Sequence, residues 1–130
     1  MIVVDASAVV AYLENVPLGS GEIARQRFTG DELHVPHLLD VGVPHALRSL
    51  LLRGVLSPKR AGDAIENLPE LPVIRYPHYP LAPRVWALRH NLTAYDATYV
   101  ALAEELQAPL ITLDRGMRDA PGHGALVEVL

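Results

Sequence analysis

Short runs of apolar residues at five places along the chain predict the strands of a sheet. The first run, Ile2–Val4, is β-branched and continuous, which is typical of a strand buried on both faces. The run that ends at Asp114 has the same character. The five predicted strands span residues 2–4, 33–35, 71–76, 109–114 and 126–130.

Between these runs, apolar residues recur at helical spacing. The longest helical pattern covers residues 37–53, where Gly42 and Pro44 interrupt it. This helix is therefore either kinked at Pro44 or begins only near Val43. Ser57 followed by Pro58 is a good helix start. The other predicted helices span residues 8–13, 22–28, 58–68, 81–90 and 94–107.

Helical segments between strands, without tight hairpin signals, predict parallel pairing through helical crossovers. We therefore expect an α/β fold, an α/β/α sandwich with a sheet of four or five mainly parallel strands flanked by helices. The length of 130 residues suits one domain that spans residues 1–130.

The composition excludes several classes of protein. Half of the residues are hydrophobic and 20% are charged, which argues against a disordered chain. The absence of cysteine excludes disulfide scaffolds, thiol catalysis and thiolate zinc sites. A net charge of −4 argues against a protein that holds nucleic acid by a broadly basic surface. An acidic nuclease stays compatible with this charge if its acids gather around a metal ion.

No segment approaches the roughly 18–20 uninterrupted apolar residues of a membrane span. The apolar N-terminus lacks a basic region and contains Asp5, so it does not resemble a signal peptide. We therefore expect a cytoplasmic protein with no membrane partner.

Three aspartates are expected to converge at one edge of the sheet. Asp5 and Asp114 each follow an apolar strand, and the carboxyl ends of parallel strands form the usual functional edge. Asp96 lies in the first turn of the helix that leads into the Asp114 strand, so the start of this helix lies at the same edge. Clustered carboxylates repel one another, and they are the usual ligands of Mg²⁺ or Mn²⁺.

Each of these acids also has a purely structural explanation. Asp5 is placed to cap the first helix, and Asp96 stands three residues after Thr93, as in a capping box. Asp114 precedes Arg115 and Gly116 in a predicted turn. The sequence pattern alone leaves the structural and the metal-binding interpretations open.

Three motifs resemble those of PIN-domain ribonucleases, and most closely the VapC-type toxins of bacterial toxin–antitoxin pairs. They are IVVDASA at residues 2–8, AYDATYVALA at residues 94–103 and LITLD at residues 110–114. Their order and spacing extend the resemblance over essentially the whole chain. The resemblance implies a PIN-like sandwich in which Asp5, Asp96 and Asp114 hold Mg²⁺ or Mn²⁺. It also assigns supporting positions to Ser7 and Thr112.

The function implied by the resemblance is metal-dependent endonucleolytic cleavage of RNA by an activated water. The resemblance also implies a homodimer and a cognate antitoxin that neutralises the toxin. The tail of the antitoxin would cross the acidic groove and present a basic side chain there.

One position departs from the pattern of the family. Where these proteins carry a glutamate after the second strand, the run PHLLDVGVP at residues 36–44 has Gly42. Asp40 is the nearest substitute, but two residues along a helix amount to about 200° of rotation, which would aim it elsewhere. We expect a weakened or altered metal site. The alternative is a PIN fold that binds RNA or an antitoxin without cutting.

Other residues offer weaker candidates. Arg115, next to Asp114, is the best candidate for a phosphate contact among ten arginines. Tyr95 and Tyr99 are expected to pack in the core or at a dimer interface. A phosphotransfer domain with an acidic pocket is a third interpretation, but Lys59, the only lysine, falls on an apparent outer helix. The six histidines show no recognised metal spacing.

Overall fold

The computed structural model describes residues 1–130 and contains one five-stranded sheet. The strands are β1 (Ile2–Val4), β2 (Leu33–Pro36), β3 (Val73–Tyr76), β4 (Leu110–Thr112) and β5 (Val127–Val129). Their order in the sheet is β3-β2-β1-β4-β5, and every pair is parallel. The predicted mainly parallel sheet is confirmed, and all five expected strands are present.

Seven helices connect the strands, together with 3-10 turns at Leu68–Glu70 and Tyr79–Leu81. The helices are α1 (Ala6–Glu14), α2 (Ser20–Phe28), α3 (Leu39–Leu52), α4 (Pro58–Asn67), α5 (Ala82–Ala87), α6 (Ala94–Leu106) and α7 (Arg115–Asp119). None of them is both long and apolar enough to cross a membrane.

The sheet separates two hydrophobic cores, because alternate residues of a strand point to opposite faces. Ile2 and Val4 of β1 belong to the core beneath α1–α4, whereas Val3 belongs to the core that contains the buried residues of α6. In β4, Leu110 and Ile111 divide in the same way. Helices therefore cover both faces of the sheet, as the α/β/α prediction requires.

The chain order places a topological switch point in the middle of the sheet. From β1 the chain proceeds to β2 and β3 on one side, and it later returns to β4 and β5 on the other. Connections on the two sides run over different faces of the sheet, which leaves a crevice at the carboxyl ends of β1 and β4. Asp5 follows β1 directly, and Asp114 lies two residues beyond the end of β4.

Helix α3 starts earlier than one of the two sequence interpretations allows. It begins at Leu39 and continues through Pro44, so the late start near Val43 is wrong. The N–H of Gly42 bonds to the carbonyl of Leu38 at 2.8 Å and closes the first turn. The apolar face that includes Leu39 and Val43 is fully buried. This burial offsets the cost of the backbone hydrogen bond that Pro44 cannot donate.

Two other segments differ from the predictions. Helix α5 ends at Ala87 rather than at residue 90, because the following residues turn so that Leu88 and Leu92 enter the core. Residues 115–119 form the short helix α7, where the sequence predicts only a turn. Met117, which is fully buried, anchors this helix.

Candidate functional site

The three aspartates singled out in the sequence line one cleft at the switch point of the sheet. The cleft has a volume of about 590 Å³, and its walls come from the starts of α1 and α6, from α3 and from Asp114. Its lining residues are Asp5, Ala6, Ser7, Leu38, Val41, Gly42, His45, Ala46, Thr93, Tyr95, Asp96, Tyr99 and Asp114. The topology therefore brings Asp5, Asp96 and Asp114 together, although they lie far apart in sequence.

Asp5 is the most deeply placed of these acids, with 5% of its surface exposed. It is the N-cap of α1, and its Oδ1 accepts the N–H of Ala8 at 2.9 Å and the hydroxyl of Ser7 at 2.7 Å. Its Oδ2 accepts the hydroxyl of Thr112. Burial raises the pKa of Asp5, although these three hydrogen bonds act in the opposite direction. The carboxylate of Asp114 raises the pKa of Asp5 further.

Thr112 and Ser7 connect Asp5 to the end of β4. The Thr112 hydroxyl oxygen accepts the N–H of Asp114 at 3.0 Å while it donates to Asp5. The hydroxyl oxygen of Ser7 accepts the N–H of Leu113 at 3.0 Å. These bonds hold the segment between β4 and α7 against the start of α1, and they fix the position of the Asp5 carboxylate.

Asp114 is the N-cap of α7. Its Oδ1 accepts the N–H of Gly116 at 2.8 Å. The short helix that the sequence pattern missed therefore has a conventional start, in which an extended aspartate satisfies a free N–H of the first turn.

Asp96 lies in the first turn of α6, where Thr93 is the N-cap and accepts the N–H of Asp96 at 3.2 Å. Burial raises the pKa of Asp96, and the nearby carboxylates of Asp114 and Asp5 raise it further. The Thr93 hydroxyl partly opposes this rise. Asp114 and Asp5 act in this direction because a nearby negative charge disfavours the ionised form of Asp96.

The structural interpretation is thus confirmed for Asp5, and it does not displace the functional one. Asp114 caps a helix where a turn was predicted, and of the capping box predicted at Asp96 only the bond from its N–H to Thr93 is present. Asp5 and Asp114 each cap a helix, and Asp96 occupies the third position of α6. Capping places the carboxylates at helix starts, and these starts are located at the edge of the sheet where the cleft opens. The same local geometry that begins the helices therefore gathers the acids.

No cationic side chain neutralises this acidic cluster. Ten ion pairs form in the molecule, and none includes Asp5, Asp96 or Asp114. No three acidic or histidine side chains stand close enough to ligate one metal ion together. The donors are nevertheless all carboxylate oxygens, which Mg²⁺ and Mn²⁺ prefer. The chemistry of the donor set fits such an ion, with water completing its coordination.

Gly42 lies in the wall of the same cleft. A Cβ atom at this position would stand 3.4 Å from the Cβ of Ala6 and 3.6 Å from the Tyr99 hydroxyl oxygen, which are ordinary contact distances. Space for a Cβ atom is therefore present. Asp40 does not use this space, because it forms a bidentate pair with Arg75 at 2.8 and 3.0 Å. The rotation of two residues along α3 aims Asp40 away, as the helical geometry predicts.

The structure adds residues to the site that the sequence interpretation assigned elsewhere. Tyr99 belongs to a hydrophobic core, as expected, but it also lines the cleft. Tyr95 is 70% exposed at the rim, so it does not pack in the core, and its expected place at a dimer interface stays a prediction. Tyr95 directly precedes Asp96, and Tyr99 follows Asp96 by three residues on α6. This closeness to Asp96 in sequence was the signal that could have placed both tyrosines at the site. His45 and Thr93 complete the polar lining without any distinctive motif.

Most of the other candidate residues form ion pairs outside the cleft. Arg118 pairs with Asp119 at 2.8 Å, and Lys59 pairs with Asp63 on α4 at 2.8 Å. Lys59 does not line the cleft, so the phosphotransfer interpretation lacks its lysine. Arg115 is exposed at the start of α7 and forms no ion pair, which leaves it available as a phosphate contact.

Comparison with known proteins agrees with this geometry. Residues 2–122 match the family model described as PIN domain. A VapC ribonuclease of Mycobacterium bovis is 45% identical over 119 residues, which cover 92% of this chain and 90% of the relative. The ribonuclease VapC12 of Mycobacterium tuberculosis is 39% identical over 130 residues, covering 100% of this chain and 99% of the relative.

Solved structures share the fold at low sequence identity. VapBC2 from Rickettsia felis, bound to a DNA fragment from its promoter, superposes with a TM-score of 0.68 at 10% identity. The match covers 100% of this chain and 99% of that one. The sarcin–ricin loop cleaving toxin VapC20 of Mycobacterium tuberculosis has the same TM-score at 16% identity and covers 97% and 98% of the two chains.

Proposed function

The chain belongs to the PIN domain family, and from this premise we propose that it is a divalent-metal-dependent endoribonuclease of the VapC toxin type. The observation that carries the proposal is the cleft in which Asp5, Asp96 and Asp114 face one another without a cationic partner. Relatives of 39–45% identity over most of the chain are named ribonucleases, which supports RNA as the substrate. Such an enzyme would act in the cytoplasm.

Asp5, Asp96 and Asp114 would hold Mg²⁺ or Mn²⁺ in this cleft partly through water molecules, because the three side chains do not stand close enough to ligate one ion together directly. The bound ion would lower the pKa of a water and offset negative charge on the phosphodiester. The chain supplies three carboxylates whose mutual repulsion makes a cation favourable there. The hydrogen bonds from Ser7 and Thr112 hold the Asp5 carboxylate in one orientation, so less conformational freedom is lost when a ligand binds.

RNA cleavage by the purified protein tests this proposal. We expect cleavage of a structured RNA in Mn²⁺ or Mg²⁺, its loss in EDTA, and its loss in Asp96→Asn. Asp119→Asn is the matched control, because Asp119 is exposed on α7 and lies outside the cleft. Absence of EDTA-sensitive cleavage at high protein concentration, across a panel of structured RNAs, would contradict the catalytic proposal.

A second candidate function is a PIN fold that binds RNA or an antitoxin without cutting. Gly42 favours it, because the glutamate expected from the family pattern is absent although a Cβ atom would fit at this position. The Gly42→Glu variant separates the two functions. A large gain of ribonuclease activity from an inactive parent would identify the parent as an impaired binding module. Activity already present in the parent would exclude that reading.

An antitoxin is the protein partner that this proposal includes. The similarity to a VapBC complex supports it, and so does the charge of the cleft, which suits a basic side chain. Val41 and Tyr95, both exposed at the rim, offer apolar contacts to the same partner. We also propose a homodimer. Inhibition of RNA cleavage by the co-expressed antitoxin would test the first statement, and light scattering would test the second.

A further inference from the structure

We propose that the imidazole of His45 donates a hydrogen bond to a phosphate oxygen of the RNA that occupies the cleft, so that His45 positions the substrate beside the three aspartates. This inference rests on the proposed ribonuclease function. It gives a chemical role to a histidine that lies outside the three sequence motifs.

His45 is an exposed residue of the cleft without a partner in the chain. It lines the same cleft as the three aspartates. Among the histidines, side-chain hydrogen bonds involve His34, His78 and His123, and only His34 stands in an ion pair. The imidazole of His45 therefore has no structural role that another side chain of the protein accounts for. Because His45 is exposed, a ligand in the cleft can reach it.

The position of His45 on α3 leaves the imidazole uncovered. His45 follows Gly42 by three residues, which is nearly one helical turn, and both residues line the cleft. Side chains three residues apart on a helix are neighbours, so a side chain at residue 42 would contact the imidazole. Glycine supplies no such side chain. Ala46, the next lining residue of α3, offers no polar group either.

The charge of the cleft favours a nitrogen donor for the RNA backbone. When Asp5, Asp96 and Asp114 are ionised they carry three negative charges, and one divalent cation offsets two of them. An anionic phosphodiester in the cleft therefore still meets an excess of negative charge. The other lining side chains are hydroxyl groups or apolar groups, so His45 supplies the only nitrogen donor among the side chains of the lining. Arg115 lies outside this lining.

The geometry favours the substrate over the metal ion as the partner of His45. No three acidic or histidine side chains stand close enough to ligate one ion together, so His45 is not placed as a direct ligand with two of the aspartates. The cleft, about 590 Å³ in volume, has room for a phosphodiester group. A phosphate has two non-bridging oxygens, so one can face an ion on the aspartates while the other meets the imidazole.

Histidine suits this contact because it donates a hydrogen bond in either protonation state. A neutral imidazole carries one N–H group, and an imidazolium carries two. A hydrogen bond from either form to a charged oxygen contributes more than a bond between two neutral groups does. His45 would thereby fix the orientation of the phosphodiester, without any part in proton transfer.

Two variants test this inference, because His45→Leu removes both ring nitrogens and His45→Gln keeps an N–H donor. The probes are Mn²⁺ alone, measured by electron paramagnetic resonance, and an end-labelled random-sequence RNA, measured by fluorescence anisotropy in Ca²⁺ with its integrity checked on a gel. We expect RNA affinity about ten-fold lower in His45→Leu than in the parent, and mostly retained in His45→Gln. Mn²⁺ affinity and Tm should be unchanged in both, because His45 is exposed and is not a ligand of the ion.

His90→Leu is the matched control, since His90 is also exposed and lies outside the cleft. This variant should bind RNA as the parent does. The parent protein gives a second, independent readout, because diethylpyrocarbonate modifies exposed imidazoles and mass spectrometry locates the products. RNA should slow the modification of His45 and leave the rate at His90 unchanged. A histidine without a role in RNA binding would not be protected.

The possible outcomes separate this inference from the proposed function. If His45→Leu binds RNA as the parent does, while Asp96→Asn loses Mn²⁺ and RNA, the role of His45 is wrong and the ribonuclease site stands. Weaker binding of Mn²⁺ alone by His45→Leu would place the imidazole on the ion or its water shell and overturn the phosphate contact. Equal losses of RNA affinity in His45→Gln and His45→Leu would overturn the hydrogen bond. A parent that binds neither probe would overturn both proposals.

Discussion

The hydroxyl of Thr112 donates to the carboxylate of Asp5, although 107 positions separate the two residues in sequence. Thr112 is fully buried at the end of β4, and its oxygen also accepts the N–H of Asp114. The Thr112 hydroxyl thus orients two parts of the cleft. Its proton goes to the carboxylate of Asp5, and its oxygen accepts the backbone N–H of Asp114. This relationship makes Thr112 a support of the site rather than a ligand in it.

Thr112→Val should therefore destabilise the protein and disturb the site together. The variant keeps the shape of the side chain but leaves a buried carboxylate oxygen of Asp5 and the partly buried N–H of Asp114 without their partner. We expect a loss of about 1–3 kcal/mol in the free energy of unfolding at neutral pH, measured by urea denaturation. Mn²⁺ affinity should fall as well.

Thr112→Ser is the matched control, because it keeps the hydroxyl and removes only a methyl group. It should retain most of the Mn²⁺ affinity. The hydrogen bond from Thr112 lowers the pKa of Asp5, so it stabilises the ionised carboxylate. Loss of this bond should therefore reduce the free energy of unfolding less in acid, where Asp5 is protonated. An equal loss of stability for the valine variant at acidic and neutral pH would contradict this account.

Asp96→Asn should make the protein more stable at neutral pH in the absence of metal. The pKa of Asp96 is raised, mainly by burial and then by Asp114 and Asp5, so ionisation costs more in the folded chain than in the unfolded one. The contribution of the protonated Asp96 carboxyl to the free energy of unfolding is complete below 3.8, the ordinary pKa of an aspartate. This contribution is lost as the pH rises through the raised pKa of Asp96. We expect a gain on the order of 1 kcal/mol that disappears on acidification.

The comparison with Asp119→Asn checks the sign of this effect. The pKa of Asp119 is lowered by Arg118, so its contribution is present at neutral pH and is lost in acid. Thermal melts over a pH series should therefore show the opposite trends. Added Mn²⁺ should raise the Tm of the parent and of Asp119→Asn, but should leave Asp96→Asn unchanged. A similar Mn²⁺ response in all three proteins would contradict the assignment of Asp96.

The sheet and the position of its acids follow from the sequence because they depend on strong local signals. The apolar runs before Asp5 and Asp114 are short, β-branched and buried on both faces, and helices separate the strands. Parallel pairing then determines which ends meet. Pro44 is different, because its effect on α3 depends on how firmly the apolar face of that helix is buried, and burial depends on the whole fold.

The position of Tyr99 beside Gly42 was not predictable from the sequence, for a similar reason. Spacing places Tyr99 on the same side of α6 as Asp96, but it does not reveal that the Tyr99 hydroxyl is buried beside Gly42 of α3. That arrangement depends on the missing side chain at Gly42, which comes from another helix. A tertiary contact between residues of two different helices produces no periodic pattern in the sequence.

Gly42→Glu should restore a fourth carboxylate to the cleft. The Cβ fits at contact distance from Ala6 and Tyr99, so the change is sterically tolerated at its base. We expect Mn²⁺ affinity about ten-fold higher than in Gly42→Gln, which corresponds to about 1.4 kcal/mol. Without metal, the glutamate variant should be the less stable of the two at neutral pH, since it adds a charge that its neighbours repel. Equal Mn²⁺ affinities in titrations of the two variants would show that residue 42 does not face the ion.

Arg115→Ala should weaken RNA binding without any effect on Mn²⁺ affinity. Arg115 is exposed, stands next to Asp114 and has no ion-pair partner, so its guanidinium is free to contact a phosphate. Loss of one such contact should lower the slope of log affinity against log salt by about 0.7 for a single-stranded RNA. Arg118→Ala is the control on the same helix, because Arg118 already pairs with Asp119 at 2.8 Å. Equal salt slopes for the parent, Arg115→Ala and Arg118→Ala would remove Arg115 from the RNA-binding surface.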